Sequence, residues 1–211
     1  MNVHKVYKFF SKFFRKKRMQ KFENLFNIFD LTTILDVGGT TYNWRFINSQ
    51  PKITIVNISP LRDWDDHKEQ FIFVIVDGTA LSFKDRSFDI AYSNSVIEHL
   101  GTWENQEKFA QEIGRVGKAY YVQTPAKEFL FEPHLLTPFI HWLPKNFQSR
   151  LLRNFTLWGI ITRPSHEYID QFLNETRMLT FHEFQSLFQD AEIIREKFLF
   201  FTKSYIAVKN K

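Results

Sequence analysis

Between Thr33 and Pro125 short apolar runs alternate with helical patterns, and this alternation limits the possible folds more than any other feature. Thr33–Val37 is β-branched and apolar and ends at Gly38-Gly39. Lys52–Ile58 alternates apolar with polar residues and is stopped by Pro60, after which a polar helical stretch runs to Gln70. Phe71–Val76 reads as a buried strand stopped by Asp77-Gly78, and Ser87–Tyr92 as another strand. Thr102 is placed to cap a helix over Trp103–Arg115, with Phe109, Ile113 and Val116 on one face. Lys118–Gln123 follows as a strand ended by Pro125. Strands separated by helical patterns, with turn residues at their ends, predict βαβ units in a parallel sheet.

The flanks differ. Val6, Phe9, Phe10, Phe13 and Phe14 lie opposite Lys5, Lys8, Lys12, Arg15 and Lys16 on a helical wheel, so residues 1–30 are expected to form a basic amphipathic helical arm. Phe22, Leu25, Phe26 and Phe29 continue the helical spacing on a second stretch. The main domain is then 31–211. Inside it, residues 124–166 hold five of the seven prolines and many rings, which predicts short helices in an insertion after the fifth strand. A helix is expected after Pro164, then a capping box at Thr180 and Glu183 opening a helix over Phe181–Gln189. Two last strands are expected over Glu192–Phe198 and Lys203–Lys209.

Charge follows the same division. Residues 1–22 hold eight Lys or Arg and no acid, leaving 20 basic and 23 acidic residues elsewhere. The body is therefore mildly acidic and is not built as a polyanion-binding surface. The chain has no cysteine, which removes thiolate zinc sites, disulfides and cysteine nucleophiles and suits a reducing compartment. No run approaches the roughly 18 apolar residues of a membrane span. Lysines also interrupt any signal-peptide-like run at the N-terminus, so a cytoplasmic location is expected.

The chemistry concentrates at Ile34-Leu35-Asp36-Val37-Gly38-Gly39-Thr40, where a strand carries an acid near its end and a glycine turn follows. Glycines let backbone pass close to a ligand, and parallel sheets bind ligands at the carboxyl ends of their strands. A dinucleotide fingerprint starting at Gly38 would need glycines at 40 and 43, where Thr40 and Asn43 stand, and no P-loop lysine follows. The His positions show no metal-ligand spacing, so no metal is expected.

From about Thr33 to Ala126 the chain resembles the class I S-adenosylmethionine-dependent methyltransferases, with a weaker echo at Met178–Val208. The pieces are Asp36-Val37-Gly38-Gly39, the strand end Val56-Asn57-Ile58, the segment Asp77-Gly78-Thr79-Ala80-Leu81-Ser82-Phe83 with Ser87-Phe88-Asp89, and Ser93-Asn94-Ser95-Val96-Ile97-Glu98-His99-Leu100. The resemblance implies a doubly wound, mostly parallel seven-stranded sheet with S-adenosylmethionine as cofactor. It puts Asp36, Gly38 and Gly39 at the methionine end, Asn57 and Ile58 at the ribose and adenine, Asp77, Gly78 and Thr79 at the adenine edge, and Ser93 on the cleft. Two positions depart from the family pattern. Thr40 and Tyr42 stand where its turn has glycines, and Asn57 stands where an acid is usual. An amide still bonds two hydroxyls, but without charge.

Methyl transfer needs an aligned acceptor, excluded water and, for a hydroxyl or ammonium acceptor, a base. His99 and His134 are the candidate bases, whereas His141 beside Trp142 reads as packing. The expected acceptor is a small molecule, a glycan or a lipid-linked compound. A nucleic-acid base fits less well, because Asn94 is followed by Ser95-Val96-Ile97 and not by the Pro-Pro-aromatic run of enzymes that methylate exocyclic amines. The alternative is a non-catalytic S-adenosylmethionine-binding or membrane-associated scaffold. Residues 1–21 suit either a lid helix packed through its Phe face or an in-plane helix on an anionic membrane.

Overall fold

The structure is a computed structural model. It describes residues 3–61, 69–132 and 137–210, with side chains described from residue 15 onward except at 131 and 132. The order is α1 (Val3–Phe26), β1 (Thr33–Val37), α2 (Thr41–Trp44), β2 (Lys52–Asn57), β3 (Phe71–Ile75), β4 (Phe88–Asn94), α3 (Trp103–Val116) and β5 (Gly117–Pro125). The two-residue strands β6 (Phe131–Glu132) and β7 (Thr137–Pro138) follow, then α4 (Lys145–Phe155), α5 (Leu157–Thr162), α6 (His166–Glu175), α7 (Phe181–Leu187), β8 (Glu192–Phe198) and β9 (Phe201–Lys209). Single 3-10 turns cover Ile97–His99 and Ile140–Trp142.

Seven strands form one sheet in the order β3-β2-β1-β4-β5-β9-β8. β2 and β4 flank β1 in parallel, with Asp36 opposite Ile55 on one side and Tyr92 on the other. β3 lies parallel to β2, with Asn57 opposite Ile75. The winding reverses between β1 and β4, and such a switch point opens a crevice at the strands' carboxyl ends. β8 and β9 are neighbours joined by two residues, a connection only an antiparallel pair permits.

The chain clusters into two compact units. The first comprises Met1–Asn94, Gln111–Val122 and Val208–Lys211. Ile34, Leu35, Ile53, Ile55 and Val56 fill its interior with almost no exposed surface. The second half of α1 belongs to that interior. Phe22 is fully buried, with ring centroids 4.9 Å from Tyr92, 5.1 Å from Tyr121 and 6.1 Å from Trp44. Met19 Sδ accepts a hydrogen bond from the Tyr92 hydroxyl at 3.2 Å. Glu23 accepts from the Asn48 and Ser49 amides, both at 2.8 Å, and so pins the loop before β2. These rings are therefore core.

The second unit comprises Ser95–Ala110 and Gln123–Ala207. The stretch after β5 holds the paired strands β6 and β7 as well as short helices, and α4 and α6 pack around a core of Ile140, Leu152, Ile169 and Leu173. The capping box forms, with the Thr180 hydroxyl accepting from the Glu183 amide while the Glu183 carboxylate takes the Thr180 amide.

Three local expectations change. The N-terminal periodicity is one continuous helix, which ends before Phe29 and leaves that ring exposed. β3 is not a fully buried strand, because it is at the sheet edge and Ile72 and Ile75 are exposed. The helix expected after Pro60 falls mostly on residues 62–68, outside the described residues. No helix among the described residues is long and apolar enough to cross a membrane.

Candidate cofactor site

All the proposed cofactor residues fall in the first unit, at the ends of β1 to β4. β1 passes into a turn at Gly38, whose φ is +75° and whose amide donates to the Val56 carbonyl at 2.8 Å. That conformation is easy for glycine and costly for a side-chain residue. Thr40 then caps the single turn of α2, its hydroxyl accepting from the Tyr42 amide. α2 brings Trp44 back over the strand end, where its indole N–H donates to Asp36 Oδ2 at 2.8 Å.

Asp36 is wholly buried, and its Oδ1 has no hydrogen-bond partner among the described residues. Burial drives its carboxyl up to about 7, against the pull of the Trp44 N–H, which favours the charged form. A buried acceptor without a donor is costly, so this oxygen suits a ligand's cationic or N–H group.

Asn57 has a bracing role that the sequence reading did not anticipate. Its amide donates to the Gly39 carbonyl at 2.9 Å and holds the glycine turn to the end of β2. Its carbonyl oxygen is an acceptor suited to a hydroxyl. Ile58, next along, is 77% exposed and offers a flat apolar face. Asp77 Oδ1 accepts from both the amide and the hydroxyl of Thr79 at 2.8 Å, which sets the turn after β3 around Gly78. Ser93 is buried, and its hydroxyl donates to the Val37 carbonyl at 3.0 Å, tying β4 to β1. Its side chain is thus spent within the sheet.

Three residues near this site were not singled out from the sequence. Trp44 carries no motif signal, since only the return of α2 brings it to Asp36. Arg18 looked like one more cation of the arm, yet it is nearly buried and donates to Asn94 Oδ1 at 2.6 Å, at the end of β4. The Arg15 and Arg45 guanidinium groups stand 5.7 Å and 4.9 Å from the Tyr42 ring centroid. Two cations therefore stand beside α2 and a third at the end of β4. Of the candidate bases, His99 is exposed in the second unit, on the 3-10 turn after β4, and His134 lies outside the described residues. His141 is held beside Trp142, both side chains bonding the Lys127 carbonyl.

The set fits S-adenosylmethionine, with an unpartnered buried carboxylate oxygen, a braced glycine turn, an amide acceptor and an exposed apolar face in strand order.

Comparison with known proteins points the same way. Residues 35–119 match a family model described as a methyltransferase domain. No curated protein matches the chain at a significant level. Among solved structures, the 1,6-didemethyltoxoflavin-N1-methyltransferase of Burkholderia thailandensis superposes with a TM-score of 0.58 at 12% identity, over 93% of this chain and 79% of that one. A Rhodobacter sphaeroides protein described as a zinc-dependent alcohol dehydrogenase gives 0.58 at 13% identity, over 92% and 89%. A chain of the complex between the Haloferax volcanii Trm112 methyltransferase activator and a methyltransferase gives 0.54 at 15% identity, over 93% and 94%. At such identities these likenesses show the fold alone. The match covers β1 to β5, the part of the chain that carries the sheet order and strand-end site described above, and there the chain is similar to the class I S-adenosylmethionine-dependent methyltransferases, whose methyl donor is S-adenosylmethionine.

Proposed function

We propose that the protein transfers a methyl group from S-adenosylmethionine to a small-molecule acceptor. The observation that carries this reading is the Asp36–Gly39–Asn57 arrangement, a buried carboxylate beneath a glycine turn braced from the next strand. The cofactor supplies an electrophilic methyl on a sulfonium. The chain's own residues bind and orient it. Asp36 offers a carboxylate oxygen to its cationic end, Arg18 offers positive charge suited to its carboxylate, and Asn57 takes a ribose hydroxyl. Ile58 covers an adenine face, and the turn at Asp77, Gly78 and Thr79 meets the adenine edge. His99 and His134 are the groups to accept a proton from a hydroxyl or ammonium acceptor.

A small-molecule acceptor is favoured by two facts. The Burkholderia thailandensis structure binds 1,6-didemethyltoxoflavin with S-adenosylhomocysteine. The body of this chain lacks the basic excess that phosphate-backbone binding needs. A glycan or lipid-linked acceptor is a narrower form of the same reading, and anionic-membrane contact through residues 1–21 would accompany the lipid-linked form.

Calorimetry with S-adenosylmethionine and S-adenosylhomocysteine tests the cofactor assignment. Both should bind, and Asp36→Ala should weaken binding by at least ~1.5 kcal/mol, the scale of a charge-assisted hydrogen bond. Unchanged affinity in that variant would remove Asp36 from the site. Binding without turnover on any acceptor would favour the scaffold alternative.

A further inference from the structure

The second unit contains a cavity of roughly 410 Å³ that none of the cofactor residues lines. A volume of this order suits a small organic ligand. Its wall includes Lys127, Lys145 and Arg177 and no acidic side chain. Arg177 is committed, since its guanidinium pairs with Glu183 and Gln106 and lies 5.1 Å from the Trp103 ring centroid. Lys127 and Lys145 are exposed, and neither ammonium has a carboxylate partner among the described residues.

The backbone adds to this charge. The first turn of α4 lines the cavity through Pro144, Lys145 and Gln148. Its N-cap is Pro144, which makes no side-chain cap. The Phe147 and Gln148 amides both donate to the Pro144 carbonyl, while those of Lys145 and Asn146 have no partner among the described residues. Free amides at a helix start, with the positive end of its dipole, attract anions. Thr176, also in the wall, has a buried hydroxyl with no partner among the described residues.

Apart from His141, the rest of the lining is apolar and in part aromatic. Trp142 is clamped by its indole N–H donating to the Lys127 carbonyl at 2.9 Å, and Phe172 stacks on Trp158 at 5.7 Å. The same Lys127 carbonyl meets His141 Nε2 at 3.0 Å, so Lys127 is tied to the aromatic wall. The Lys127 amide in turn donates to the Leu179 carbonyl beside the bridge from Ala126 to Leu179.

We propose that this cavity is a ligand site for a small molecule with an apolar, planar body and an anionic carboxylate or phosphate. The anionic group lies against Lys127, Lys145 and the first turn of α4, and the body lies against Trp142 and Phe172.

The test is an NMR titration of the full chain, following the indole N–H of Trp142 assigned by its loss in Trp142→Phe. The probes are 1-naphthyl phosphate, 1-naphthoate and neutral 1-naphthol. Both anionic probes should shift the Trp142 resonance saturably, with 1-naphthol weaker by about tenfold or more, the worth of one charge-assisted contact. The tighter of the two anions tells phosphate from carboxylate. Lys127→Glu with Lys145→Glu should weaken the anions by about tenfold and leave 1-naphthol nearly unchanged. Equal affinity for 1-naphthol and the anions overturns the proposal, as does an unmoved Trp142 resonance or an unaffected charge-reversal variant. S-adenosylhomocysteine affinity, measured on the same samples, should be the same in wild type and variant, which also verifies the fold. If the wild type binds the anions but not S-adenosylhomocysteine, the methyl-transfer reading fails and the anion site stands.

Discussion

A β-carbon added to Gly39 would lie 1.9 Å from Oδ2 of Asp36, so the turn rests directly on the buried carboxylate. The glycine is required by what lies beneath it. Gly39→Ala should therefore destabilise the protein by about 1–3 kcal/mol through overpacking and abolish measurable S-adenosylhomocysteine binding. Adding Asp36→Ala should recover part of the stability, because it removes the clashing atoms. Thermal denaturation of the two single variants and the double variant checks this, and strict additivity would refute the contact.

Asp36 also predicts a pH dependence. Its carboxyl ionises near 3.8 in the unfolded chain and at about 7 in the folded one. Between those values the folded protein holds a proton that the unfolded chain has lost. Stability should therefore fall as pH rises through that window, with no penalty below it and the full penalty above. A cationic ligand favours the carboxylate, so cofactor binding should release a proton and tighten as pH rises toward about 7. Asp36→Asn should flatten both profiles, which unfolding experiments and calorimetry in buffers of different ionisation heat can measure.

Asp89 behaves oppositely. Burial raises its carboxyl, but hydrogen bonds from the Thr33 amide and hydroxyl and from Lys118 outweigh this and hold it at about 2. Its stabilisation is complete above the unfolded value of 3.8 and lost as pH falls from there to about 2. Asp89→Ala should cost about 1–3 kcal/mol at neutral pH, because the Thr33 amide loses its acceptor at the start of β1. Chemical denaturation at neutral pH and near pH 2 should show the difference shrinking in acid.

The second half of the N-terminal helix is structural, and the first half carries the membrane contact proposed for the lipid-linked form of the reading. Phe22→Ala should cost about 3–5 kcal/mol, since the ring is fully buried among Tyr92, Tyr121 and Trp44. Removing residues 1–14 should spare Arg15, Arg18 and Met19 and leave stability and cofactor affinity close to those of the full chain. Removing 1–21 should lower stability, because Met19 leaves the core. In sedimentation with anionic vesicles, the full chain should pellet and release in high salt, and the chain lacking 1–14 should not. If neither pellets, the helix is purely structural.

For catalysis, His134→Ala should lower turnover by about a hundredfold or more, the scale of a general base, with cofactor affinity intact. If His134→Ala and His99→Ala both turn over at the wild-type rate, neither histidine takes the proton.

Strand and helix placement was legible because local signals agreed with tertiary demands. β1 spans Thr33–Val37 and β8 spans Glu192–Phe198 as the β-branched runs predict, and the Thr180–Glu183 capping box forms as its spacing requires. The order of the strand-end motifs placed Asp36, Gly39, Asn57 and Asp77 on one edge, since consecutive parallel strands bring their carboxyl ends together. The exposure of β3 was not legible, because an edge strand and an inner strand share the same apolar composition. Nor was the use of each polar atom. That Asn57 spends its amide on Gly39, that Arg18 bonds Asn94, and that Trp44 meets Asp36 all depend on residues 8 to 76 positions apart. Sequence pattern alone determined the sheet and the edge that carries the candidate site. Only the tertiary structure decided the protonation of Asp36 and the partners of its neighbours, because burial and hydrogen-bond geometry arise when distant segments meet.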